Sequence, residues 1–324
     1  MRLRTIGLIS TLALGLLAGP LPAEAQRSGK VYRIGFLSAA PRMRPNYEVF
    51  RQGLRELGYI EGQNIVIEWR FGRKKAPKLA AELVRANVDL IVTRGTRATR
   101  AAQKATSTIP IVMAGVGNAV SRGFVASLAK PGGNITGLTT RSPDLADKRL
   151  ELLKELLPNI SRVALLRNAS RKGTEEHLRD AEVAARKLGL QLQSLEVRQP
   201  EDIETAFRAA EKGRAEALIV VRAGFTGAQQ DRIISLAAQK RLPIIASSGS
   251  YVRAGGLMSY STDRSEQQRR AATYVDKILK GARPDELPVE RAKAFELIVN
   301  LKAAKKIDIT IPPSVLYRAN KVIR

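Results

Sequence analysis

The feature that most constrains this chain is a repeated unit: a short apolar run, a turn of small residues, then a segment with helical spacing. Two copies lie back to back in residues 89–120, DLIVTRGTRATRAAQKATSTIPIVMAGVGNAV. Leu90-Ile91-Val92 and Ile111-Val112-Met113 show no polar alternation, the pattern of parallel strands buried on both faces. Thr93, Arg94, Gly95 and Thr96 follow the first run. Gly115, Val116, Gly117, Asn118 and Ala119 follow the second. In an open parallel sheet, ligands bind where the loops diverge at the carboxyl ends of the strands. Thr96 is placed to cap its helix, and the free N–H groups of a first turn suit an anion. These turns read as half of a small-molecule cradle. Ordinary strand-to-helix turns are the competing reading.

The unit recurs on both sides of this stretch. Upstream are a strand over residues 31–37, with exit Ser38-Ala39-Ala40-Pro41, and a helix with Tyr47, Phe50, Leu54 and Leu57 on one face. A strand over 65–69 and a helix through Leu79 and Leu83 come next. Downstream, the spacing predicts a helix through Phe124 and Leu128, a turn at Pro131-Gly132-Gly133-Asn134 and a strand over 135–138. The alternation then restarts. Strands are predicted over 163–166, 190–197, 217–221 and 243–246, and their exits include Asn168, Arg222, Phe225, Ser248 and Tyr251. Two α/β sandwiches with parallel sheets follow from this order. Their hydroxyl-rich strand exits would face each other across a cleft. A long tail that crosses back gives hinge candidates near 139–144, 251–259 and 281–294. The expected division is 26–142 plus about 255–285 for one lobe, and 143–254 plus about 286–324 for the other.

Residues 1–25 read as a cleaved signal peptide. Arg2 and Arg4 open it, residues 6–17 are apolar, and Ala23-Glu24-Ala25 is a small-x-small cleavage signal that puts Gln26 first in the mature chain. The expected location is periplasmic. There is no cysteine, which excludes disulfides, thiolate metal sites and a cysteine nucleophile. The formal net charge is +25, and loss of Arg2, Arg4 and Glu24 leaves +24. Export and the spread of arginines over most helices argue for a solvated basic surface rather than a nucleic-acid partner.

Chemical motifs are sparse. His177 is the only histidine. It follows Glu175 and Glu176 at an expected exposed helix start, away from any triad. Residues 115–120 begin like a dinucleotide fingerprint but place Val120 where the third glycine belongs, and Leu138 replaces the lysine of a phosphate loop. No paired carboxylates stand at strand exits, so acid–base catalysis has little support. The loops offer hydroxyls, backbone N–H groups, Asn118, Asn168, Arg94 and Arg222. Phe225 and Tyr251 are placed to stack on a ligand ring or to pack in a core. That inventory suits binding, with no metal and no cofactor.

Five stretches carry a resemblance: FRQGLRELGYIEGQNIVIEWR (50–70), residues 89–120, GFVASLAKPGGNITGLT (123–139), KRLELLKELLP (148–158) and AGGLMSYS (254–261). In order and content they resemble the ABC transporter substrate-binding protein family whose best-known members bind tryptophan or tyrosine. The resemblance spans about residues 31–323. It implies a periplasmic-binding-protein type 1 fold with three hinge crossovers, a ligand clamped between lobes, and an ABC permease in the inner membrane as partner. It also implies that Ser38-Ala39, Gly95-Thr96 and Gly117-Asn118 hold a ligand carboxylate. The family commonly has Gly-Asp-Pro where this chain has Gly117-Asn118-Ala119, and an acidic-Pro loop where it has Arg222-Ala223-Gly224-Phe225. A missing acid and added arginines favour a ligand with more negative charge than an amino acid. A sensory binder for a membrane receptor and an exported α/β enzyme are the alternative readings.

Overall fold

The computed structural model describes residues 30–324 except 41, 42, 44, 73, 74, 141–143 and 172. The expected leader lies outside the described residues. The first lobe opens with β1 (Tyr32–Ser38), α1 (Pro45–Glu56), β2 (Ile65–Phe71), α2 (Ala76–Arg85) and β3 (Leu90–Arg94). It continues with α3 (Thr96–Ala105), β4 (Ile111–Val116) and β5 (Ile135–Thr139). The second lobe carries α4 (Asp144–Leu156), β6 (Arg162–Asn168), α5 (Gly173–Lys187), β7 (Gln191–Val197), α6 (Asp202–Lys212) and β8 (Ala217–Val220). After these come α7 (Gln230–Gln239), β9 (Ile244–Ala246), α8 (Gly249–Arg253) and β10 (Met258–Thr262). The chain then returns to the first lobe for α9 (Arg264–Leu279) and β11 (Glu290–Arg291). It ends in the second with β12 (Phe295–Asn300), α10 (Leu301–Lys306), α11 (Pro313–Tyr317) and β13 (Lys321–Ile323).

The first sheet runs β11-β5-β4-β3-β1-β2, all parallel. The second runs β13-β12-β10-β9-β8-β6-β7, parallel except for the β10–β12 pair. Helices cover both faces of each sheet, which explains the apolar runs. Leu90 and Val92 join the core on one face, with Phe36, Phe50 and Leu54. Ile91, between them, joins the core on the other, with Leu37 and Leu83. In the second sheet Ala164 and Leu166 divide from Val163 and Leu165 in the same way. Each core strand therefore buries consecutive side chains.

The chain passes between the sheets three times: after β5, at Asp263, and over residues 292–294. The passages adjoin, because Ala292 N–H donates to Thr139 O (2.9 Å) and Asp263 N–H to Ala294 O (2.9 Å). The second was expected within 251–259 and falls at Asp263, whereas the third falls at the end of the expected 281–294, so the divisions expected at about 255 and 286 move to 263 and 292–294. Gly255 and Gly256 instead close α8 inside the second lobe. Gly256 N–H donates to Tyr251 O, and a Cβ at Gly256 would meet that oxygen at 2.9 Å. Pro288 lies within the first lobe, where its carbonyl accepts from Tyr274 Oη and Val289 joins the core. The helix expected through Phe124 and Leu128 is a series of turns. Phe124 and Val125 are buried there all the same, so their spacing reflects core contact without helical backbone. Leu57 lies beyond α1 and is exposed. Among the described residues, no helix is long and apolar enough to cross a membrane.

Candidate functional site

Each sheet reverses its winding once. From β1 the chain moves outward to β2, then crosses to β3 on the other side of β1. The loops after β1 and β3 therefore diverge and leave a crevice. The second sheet repeats this, with β7 on one side of β6 and β8 on the other. Such switch points are where open α/β sheets take ligands. Here both crevices open into one cleft of about 960 Å³, at the upper end of the size range for small-molecule sites.

The first lobe supplies Ser38 and Ala39 from the β1 exit and Arg94, Gly95 and Thr96 from the β3 exit. Gly95 makes the turn at φ +85°, a left-handed conformation that glycine adopts without strain. It is the N-cap of α3, so Thr96 is the first helical residue and not the cap it was expected to be. No side chain caps α3, and no acid stands in its first turn. The buried Ser38 hydroxyl is fixed by Tyr47 Oη (2.7 Å) and accepts from Ala40 N–H (3.1 Å). Arg94 is half-buried and donates through Nη1 to Gly115 O (2.5 Å).

The second lobe supplies Ser170, Arg171, Gly173 and Thr174 after β6, and Arg222, Ala223 and Gly224 after β8. Arg122 reaches the cleft from the turns after β4. Its backbone is held by Arg100, which donates to Arg122 O and stacks on Phe124 (4.5 Å to the centroid). A Cβ on Gly173 would lie 1.9 Å from Arg122 Nη2, and one on Gly117 would lie 3.4 Å from Arg122 Nε. Arg122 thus bridges the lobes. Glu176 bridges them at a second point: its Oε1 accepts from Ser121 Oγ (2.7 Å) and Asn118 Nδ2 (3.3 Å).

Several expected ligand residues do other work. Asn118 accepts from Ser121 N–H (3.2 Å) and joins the Glu176 bridge. Gly117 stands behind Arg122 and Thr96 rather than on the cleft surface. Asn168 is buried and fixes its own loop, accepting from Ser170 N–H (3.0 Å). Ser248 caps α8 and accepts from Arg264 Nη2 (3.2 Å). Phe225 packs against the second lobe's core. Tyr251 is fully buried and donates to Thr226 O (2.6 Å). Burial pushes its phenol well above the ordinary value, against the opposing pull of the Arg222 charge. Tyr251→Phe is expected to cost about 1–3 kcal/mol, because Thr226 O loses its partner in an apolar setting. A denaturant midpoint equal to that of the parent protein would show that the bond carries no stability.

Sequence reasoning reached Arg94, Arg222 and the positive charge they bring, but missed other residues of the cleft. Arg122, Arg171, Arg264 and Tyr47 all line the cleft. So does His177, which was expected on an exposed helix start; it is half-buried on the face of α5 turned to the other lobe. The strand-exit rule, applied to β6 as it was to β3, reaches Arg171. Nothing local marks Arg122, which sits in a turn. Among the described residues, no three histidine or acidic side chains gather as a metal site requires.

Comparison with known proteins follows the same line. A tyrosine-binding protein of Clostridioides difficile (strain R20291) is 27% identical over 263 residues, 80% of this chain and 75% of its own length. The crystal structure of a conserved domain protein from Vibrio cholerae superposes with a TM-score of 0.79 at 29% identity, covering 90% of this chain and all of that one. An ABC domain from Streptococcus pneumonia, in complex with L-Trp, also gives 0.79, at 27% identity over 90% of this chain and 99% of its own. The family model for ABC transporter substrate binding proteins matches residues 34–323, and this chain belongs to that family.

Proposed function

We propose that this protein is exported through its leader, captures a small carboxylate-bearing solute between its lobes in the periplasm, and delivers it to an ABC importer in the inner membrane. The observation that carries this reading is the single cleft built from both switch points, with residues of both lobes on its surface. The three adjoining crossovers supply a hinge, and closure about it would enclose the solute. Carboxylate recognition is supported by the first turn of α3, which presents free N–H groups beside Ser38 and Arg94. The relatives named for tyrosine and L-Trp bind carboxylate-bearing molecules, in keeping with this choice. In this reading the permease recognises the closed form, and no bond in the solute is broken.

Small-angle scattering with calorimetry tests it. A bound carboxylate is expected to reduce the radius of gyration, and at 100 times its dissociation constant to add about 2.7 kcal/mol of stability. A solute that binds with no change in radius would count against clamping between lobes.

A further inference from the structure

The end of the second lobe farthest from the cleft is strongly basic. The cleft opens at the carboxyl ends of β6 and β8. At the opposite end of the sheet lie the turns that join α6 to β8 and α7 to β9. β12 runs antiparallel to β10, so α10, which follows β12, lies at that end too. Ion pairs tie these elements into one face. Lys240 Nζ meets Glu211 Oε2 (2.6 Å), Arg241 Nη1 meets Asp308 Oδ2 (3.5 Å) and Arg162 Nε meets Glu216 Oε1 (3.9 Å). Those pairs engage every acid in residues 211–216, 240–243 and 301–308. Lys212, Arg214, Lys302, Lys305 and Lys306 stand outside them, and all are exposed. The three lysines of α10 share its outer side by their spacing of three and four. Its inner side buries Ala303 and Ala304.

The plainest account is that lysines gather at helix ends to complement the dipole. Two features exceed it. Lys302 stands in the first turn of α10, where a cation opposes the dipole, and no acid stands there with it. Arg214 and Arg241 hold left-handed backbone, at φ +52° and +51°. Each closes its helix in the same turn, donating its N–H to the carbonyl three residues back, Arg214 to Glu211 (2.9 Å) and Arg241 to Ala238 (3.1 Å). The same turn uses Gly58 after α1, Gly189 after α5 and Gly281 after α9, and Asn87 after α2. Glycine takes this conformation freely, and a long side chain is strained in it. On this face the chain twice keeps an arginine where the backbone favours glycine. Strain retained in that way points to a use for the side chain.

We propose that this face docks on an anionic lipid surface, its lysines and arginines meeting headgroup phosphates. Each basic side chain held near such a surface adds to the attraction. The segments named carry no aromatic side chain on which a base could stack, which favours lipid over single-stranded nucleic acid. Docked by this end, the protein keeps its cleft open to solvent, at the other end of the sheet, for capture of a solute. The inference rests on the export in the function proposed above, which brings the protein to a membrane. It does not depend on which solute is bound.

The test is co-sedimentation of the full mature protein with vesicles of phosphatidylcholine alone and of phosphatidylcholine mixed with phosphatidylglycerol. Binding is expected only to the anionic vesicles and should fade as salt is raised. The triple variant Lys302→Gln, Lys305→Gln, Lys306→Gln is expected to lower the partition coefficient at least about 30-fold. Taking the same charge from the first lobe, with Lys78→Gln, Lys104→Gln and Lys130→Gln, is expected to lower it by less than about 3-fold. Arg214→Gly with Arg241→Gly is expected to raise the melting temperature, because the strain is relieved, and to lower the partition coefficient at least about 5-fold. Melting curves establish that every variant folds. The inference is overturned if the anionic vesicles are not bound, if the two lysine triples lose alike, or if the double glycine variant partitions like the parent. Tighter binding of polyuridylate than of the anionic vesicles overturns the choice of lipid. Scattering with solute is read separately, so solute capture stands or falls apart from any of these results.

Discussion

Gly137→Ala is expected to prevent the first lobe from folding. Gly137 lies in β5 opposite Met113 of β4, beside a register shift between Ala114 and Val116. Its φ is +116°, and an added Cβ would stand 2.5 Å from Met113 O and 2.6 Å from Met113 N. Those are backbone atoms in the middle of the sheet, so no rotamer change relieves the contact. Alanine at this φ is strained on its own account. Loss of ladder bonds and core packing on both faces follows, and the cost is expected to exceed about 4 kcal/mol. That is much of the 5–15 kcal/mol by which domains are typically stable, so little folded protein should remain. Gly133→Ala is the control. A Cβ there meets nothing within 4 Å, and its effect should stay within about 0.5 kcal/mol. Chemical denaturation of both variants decides the matter, and a Gly137→Ala protein that unfolds at the parent midpoint would falsify the account of this strand.

The second large effect is on closure. Gly173 opens α5, and the guanidinium of Arg122 occupies the space a side chain there would need, with Nη2 1.9 Å from the Cβ position. Gly173→Val should therefore leave each lobe intact and push aside the Arg122 guanidinium, the far end of a flexible side chain that can give way. Loss of affinity is expected to reach about 10-fold, or roughly 1.4 kcal/mol. Adding Arg122→Ala removes the obstacle, so the double variant should bind better than the sum of the two single losses implies, with a coupling of about 1 kcal/mol or more. Calorimetry supplies the four affinities, and scattering reports whether the Gly173→Val radius still falls on saturation. Affinities that simply add would mean the two residues do not meet in the bound form.

The α/β class and the two parallel-sheet lobes were legible in the sequence, because a strand covered on both faces must be continuously apolar and a local window records that. Leu90-Ile91-Val92 and residues 217–221 needed no tertiary information. The β1 and β3 exits could also be placed, since a strand end followed by Gly95 and a helix is a local signal. Gly255 and Gly256 misled for the same reason. Glycines mark a bend, but only the pairing of β10 with β9 and β12 assigns the bend to one lobe. Phe124 and Val125 show the converse, core residues whose apolar spacing imitates a helix while the backbone turns. Beyond Ser38, Ala39, Arg94, Gly95, Thr96 and Arg222, the cleft's surface was out of reach. Among 55 lysines and arginines, nothing near Arg122 in the chain says that Arg100 and Phe124 will hold its turn against the other lobe. His177 looks solvent-facing beside Glu175 and Glu176 until α5 is set across from Ser121. Sequence alone determined which segments are buried, because burial follows local hydrophobic pattern. Only the tertiary structure decided which charges face one another, because that depends on how two separately folded sheets meet.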